Sequence, residues 1–123
     1  MSPTRMSRIE SATRTVLDFH SAFNRHDLEV IADLLDENCL FEAASPAPDG
    51  TLIKGRGAII EALHVRFKKS ADLRLEIEEI FGMGFRVVMR WCQSGGKIPL
   101  RGVEIFKVVD GLITEIFAYV KEK

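Results

Sequence analysis

Glu104 is a carboxylate in an apolar setting. In Arg101-Gly102-Val103-Glu104-Ile105-Phe106 it shares one face of a strand-like alternation with Leu100, Phe106 and Val108. Such surroundings penalise the charged form and raise the pKa, which suits a general acid or a neutral hydrogen-bond donor to an oxyanion. The competing reading is a structural ion pair across a sheet with Arg101, Arg86 or Arg90. Glu42 follows the apolar run Cys39-Leu40-Phe41 and precedes the loop Ala43-Ala44-Ser45-Pro46. It is either a base at a cavity mouth or an ordinary charge at a strand end. His20 is the candidate proton relay, with His64 its alternative; a satisfied boundary histidine is the plainer account of each. Phe19, Phe23, Trp91, Phe106 and Tyr119, together with His64, are the candidate ligand contacts, although Trp91 and Tyr119 equally suit a packed core. His20, His26 and His64 show no HExxH or other metal-ligand spacing, and no phosphate loop, dinucleotide fingerprint or GxSxG elbow occurs. Neither a metal nor a cofactor is expected.

The elements that hold these groups follow from hydrophobic period. Ile9, Ala12, Val16, Phe19 and Phe23 recur at three- and four-residue steps, a helical stripe that starts at Ser7 with Glu10 in capping-box register and stops at Asn24-Arg25-His26. Asp27 caps a second, short helix with Leu28, Ile31, Leu34 and Leu35 on its stripe. Strands at Cys39–Ala44 and Thr51–Lys54 flank a turn-rich loop, and Gly55 and Gly57 lead into a third helix carrying Ile59, Ile60, Leu63 and Phe67. Arg66, Lys68 and Lys69 fall at its C-terminus, where cations offset the helix dipole. Four strands follow: Leu73 to Ile77, Phe85 to Cys92, Ile98 to Val109 and Leu112 to Val120, the last pair joined by the hairpin signal Asp110-Gly111. Gly82, Gly84 and Gly102 suggest bulges or bends. The predicted class is α+β, a cone-shaped α+β barrel with N-terminal helices packed on a strongly curved antiparallel sheet. The last two strands are apolar on both faces, which points to a homodimer through the sheet.

A length of 123 residues fits one domain, placed at residues 7–123 behind a flexible N-terminal arm of residues 1–6. Hydrophobic residues make up 46% of the chain, enough for a core. With 17 basic against 18 acidic residues there is no basic field to condense on phosphates, so no nucleic-acid partner is expected. Cys39 and Cys92 form no CxxC and lie in apolar runs, as buried reduced thiols do. With no secretory segment and no apolar stretch of membrane-spanning length, no membrane partner is expected and the reading is cytoplasmic.

The chain resembles the nuclear transport factor 2-like superfamily, especially its SnoaL-like polyketide cyclase and ketosteroid isomerase branches. The likeness is carried by residues 19–28 (FHSAFNRHDL), Cys39-Leu40-Phe41-Glu42, residues 55–60 (GRGAII) and residues 101–115 (RGVEIFKVVDGLITE), and spans most of the chain from Ile9. It implies the cystatin-like, cone-shaped fold named above. It also implies that Glu42 takes the place of the isomerases' carboxylate base and Glu104 that of their protonated oxyanion-hole acid, while Phe19 stands where they place a tyrosine. The function so implied is a cofactor-independent isomerase or cyclase working by carboxylate acid/base chemistry on an apolar carbonyl compound. The alternative is a non-catalytic ligand-binding or association module of the same fold. With acidic pocket groups, the expected ligand is apolar and without strong negative charge.

Overall fold

Apolar side chains at helical spacing form α1 (Arg5–Asn24), which buries Ala12, Val16, Phe19, Ala22 and Phe23. The structure, a computed structural model, describes residues 5–95 and 99–121. Arg5 and Met6, predicted to lie in the arm, are already helical, since both residue types favour helix and nothing stops the turn at Ser7. The rest of that arm, residues 1–4, lies outside the described residues, as does Ile98, the predicted start of a strand. After α1 the chain turns through His26 at φ 56°, and Asp27 caps α2 (Leu28–Leu34) by accepting a hydrogen bond from the Val30 amide at 3.2 Å.

Strand β1 (Leu35–Ala43) begins directly where α2 ends, earlier than predicted, and forms a hairpin with β2 (Thr51–Lys54). Helix α3 (Arg56–Lys69) then carries the chain to the opposite edge of the sheet. There β3 (Arg74–Met83), β4 (Arg86–Ser94), β5 (Arg101–Val109) and β6 (Leu112–Lys121) form the predicted meander. Asp110 and Gly111 both take positive φ, as the tight β5–β6 hairpin requires. The strand order is β2-β1-β6-β5-β4-β3. One pairing differs from the antiparallel expectation. β1 lies parallel to β6, because the meander returns from the far edge to meet the β1–β2 hairpin on its open side. Register shifts at Ile77/Glu79, Lys107/Val108 and Leu35/Leu40 mark irregular pairings of the kind that bend a sheet.

Helices α1 and α3 pack on one face of this sheet, and α2 bridges them. That inner face supplies Leu75, Val87, Met89, Trp91, Phe106, Ile113 and Ile116 to a single core. On the outer face one row crosses the whole sheet: Phe81, Val88, Ile105, Phe117, Glu42 and Leu52. Phe81 is 53% exposed and Leu52 49%. Charged pairs flank the row, Arg86 with Glu115 at 2.9 Å and Arg90 with Glu79 at 3.0 Å.

Candidate functional site

Between the helices and the inner face lies a cavity of about 330 Å³. Helix α1 contributes Phe19 and Phe23, and α3 contributes Leu63 and Arg66. The sheet adds Phe41, Leu75, Trp91, Glu104, Ala118 and Val120, with Leu100 entering from just before β5. Strand alternation puts Glu104 there. It lies opposite Met89 on β4 and Ala118 on β6, both inward-facing. Only 7% of Glu104 is exposed, and burial pushes its carboxyl up to about 7, against the opposing pull of the Arg66 guanidinium. None of the three arginines named as sheet-spanning partners pairs with it: Arg86 and Arg90 hold Glu115 and Glu79, and Arg101 holds Glu78 at 3.7 Å.

Four of the nine candidate residues meet at this cavity: Phe19, Phe23, Trp91 and Glu104. Phe106 sits behind them in the core, edge-on to Phe19 with ring centroids 5.7 Å apart. The other four lie elsewhere. Phe41 points inward, so its neighbour Glu42 points outward beside Phe117 and Leu52, away from Glu104. The place of Glu42 at a strand end after an apolar run made it look like a cavity residue, and the period of two along β1 is what excludes it. Tyr119 is likewise on the outer face and 52% exposed. His64 is exposed on α3. His20 does not line the cavity; its Nε2 donates to the Leu75 carbonyl at 2.6 Å.

That bond belongs to a clamp. Asn24 Nδ2 donates to the same carbonyl at 2.9 Å, and the Leu75 amide donates back to Asn24 Oδ1 at 2.9 Å. His26 Nε2 donates to the Leu73 carbonyl at 2.9 Å while its ring stacks flat on Phe67, centroids 4.0 Å apart. The end of α1 thus satisfies the free edge of β3, an outermost strand of the sheet.

Sequence reasoning missed Arg66, whose charge it assigned to the helix dipole. Ile59, Leu63 and Phe67 form the buried stripe of α3, and Arg66 stands three residues after Leu63 on the edge of that stripe. The spacing was the available signal. Its guanidinium lies 5.6 Å from the centre of the Phe23 ring, and Nη2 donates to Gln93 Oε1 at 3.5 Å. Burial lowers the Arg66 pKa, and Glu104 partly restores it. Gly102 was taken as a bend. It lies across from Trp91, where a Cβ would stand 2.5 Å from Cζ2 of the indole and 2.6 Å from the Tyr119 carbonyl oxygen. The absent side chain makes room for Trp91. Among the described residues the cavity therefore holds one carboxyl and one cation rather than two carboxylates, and the expectation of a purely acidic pocket does not hold. Among the described residues no group of three or more His, Cys, Asp or Glu is placed to hold a metal ion. No described helix is long and apolar enough to cross a membrane.

The profile of the SnoaL-like domain matches residues 16–116, and the chain belongs to that family. No curated protein matches it. Among solved structures, a nuclear transport factor 2-like protein of unknown function from Mesorhizobium loti is 32% identical, with 98% of each chain covered and a TM-score of 0.83. A candidate ketosteroid isomerase from Kribbella flavida aligns over 96% of this chain and 83% of its own at 21% identity, TM-score 0.83. A candidate SnoaL-like polyketide cyclase from Jannaschia aligns over 98% and 92% at 16% identity, TM-score 0.84. The two weaker identities speak to the fold.

Proposed function

We propose that this SnoaL-like protein binds a small apolar carbonyl compound in the inner cavity and moves a proton on it with Glu104, the chemistry of an isomerase or cyclase. One observation carries the reading: a carboxyl poised near neutrality, 7% exposed, on the wall of an aromatic-lined cavity. A base of that strength works best at neutral pH, where it is partly ionised yet holds a proton firmly. In its carboxylate form Glu104 takes a proton from the carbon beside the ligand's carbonyl. The C–H electron pair moves into an enolate and an O–H bond forms on Glu104. Return of that proton to another carbon gives an isomer. Attack of the enolate carbon on a second carbonyl gives a ring, with Glu104 protonating the new alkoxide. Glu42 has no part in this scheme, because it faces the other way.

Proton exchange tests it. Incubated with 2-tetralone in D₂O, the protein should accelerate exchange of the ketone's α-protons, followed by NMR, and Glu104→Gln should lose roughly a hundredfold of that rate or more. Equal rates for the two proteins would refute the assignment. The non-catalytic reading is favoured by one observation, the single carboxyl among the described residues of the cavity, and would be shown by ligand binding without exchange. The outer face, with its row of Phe81, Val88, Ile105 and Phe117, supports a second reading of assembly: two copies pairing sheet to sheet.

A further inference from the structure

Among the described residues Arg66 is the one cation lining the cavity, and what it faces constrains the ligand. None of the ion pairs among the described residues includes it. Its contacts are the Phe23 ring and the amide oxygen of Gln93 at 3.5 Å, a long bond that leaves most of the guanidinium's donors uncommitted. Trp91, in the same wall, is 3% exposed and offers the face of its ring rather than its Nε1–H, which is buried without an acceptor among the described residues. The other described residues around the hollow are apolar apart from Ser45 and Glu104.

We propose that the ligand is an apolar monoanion, a cyclic oxo acid whose carboxylate docks on Arg66 while its ring body lies among Phe19, Phe23, Phe41 and Trp91. This rests on the cavity reading above and deepens it by naming the ligand's charge. A carboxylate supplies the planar pair of acceptors that a guanidinium fork matches.

Glu104 imposes a pH limit on this binding. The described side chains facing it are Met89 from β4, Ala118 from β6 and the cavity-lining residues of α1, α3 and β1, and of these Arg66 alone is charged. Below about pH 7 the acid is neutral and the cavity carries Arg66's positive charge alone. Above it Glu104 ionises, cancels that charge and repels an anion.

The only tryptophan of the chain lines the cavity, so its fluorescence reads binding directly. Naphthalene-2-carboxylate and the uncharged naphthalene-2-carboxamide are titrated against the protein at pH 6 and pH 8.5. The carboxylate should bind roughly tenfold or more tightly than the amide at pH 6, the usual worth of a charge-assisted hydrogen bond. That preference should shrink at pH 8.5 in the native protein but persist there in Glu104→Gln. It should fall close to one in Arg66→Gln, which removes the charge at the partly exposed edge of the cavity. A preference for the amide, equal binding, or an undiminished preference in Arg66→Gln overturns the anion assignment and leaves the cavity reading standing. Binding of neither probe overturns both.

Discussion

At the scale of the residue, Glu104 ties ligand chemistry to stability. Gln at this position keeps the shape and removes the ionisation. Below about pH 4 the carboxyl is protonated in folded and unfolded chains alike. As the pH rises toward about 7 the unfolded chain gives up its proton first, because burial holds the folded carboxyl protonated to about 7. The unfolded state is favoured by that difference, so native stability falls across this window by on the order of 3 kcal/mol. Urea titrations from pH 4 to pH 8.5 should show this fall in the native protein and its absence in Glu104→Gln, whose stability should be the greater at pH 8. The two cysteines separate in the same way. Burial pushes the Cys39 thiol up to about 12, whereas Cys92 is half-buried on the outer face. A thiol reagent at pH 8 should therefore label Cys92 and spare Cys39 until the chain is unfolded, as mass spectrometry of the labelled peptides would show.

At the scale of the element, the cavity keeps its shape through two contacts that do not look functional. Asn24 satisfies both backbone groups of Leu75 on the outer edge of β3. Asn24→Ala should cost about 1–3 kcal/mol by leaving the Leu75 amide unpaired, while His20 still serves the Leu75 carbonyl, and should speed hydrogen exchange of that amide. Across the sheet, Gly102→Ala places a methyl group in the space of the Trp91 indole. Forcing the ring aside should cost about 1–3 kcal/mol and shift the tryptophan emission, with the probe affinities falling in step. Period alone laid out these elements, helices with steps of three and four and strands with steps of two. The clamp was not legible, because nothing in Asn24-Arg25-His26 says that its polar groups meet a strand some 50 residues away.

At the scale of the whole molecule, the two faces of the sheet divide the labour. The inner face holds the cavity, and the outer face carries an apolar row with charged pairs along its rims. An unpaired antiparallel face in water is ordinarily polar. Ile105→Asp puts a charge in the middle of that row without touching the core. If two copies pair there, sedimentation should show the native protein as a dimer and the variant as a monomer with unchanged circular dichroism; a monomeric native protein would remove the pairing.

The α+β class, the element order, the Asp110-Gly111 hairpin and the inward Glu104 were all decided locally, by period, turn chemistry and the apolar neighbours of one carboxylate. Sequence patterns of this kind say that a strand has two faces and which residues share one. They do not say which face meets the helices. Packing made that choice, and it sent Glu42 and Tyr119 outward, spent His20 on a strand edge, and brought Arg66 from a helix end into the cavity. The charge of the hollow was thus set by the tertiary structure, because only folding decides which side chains, distant along the chain, share one small volume shielded from water.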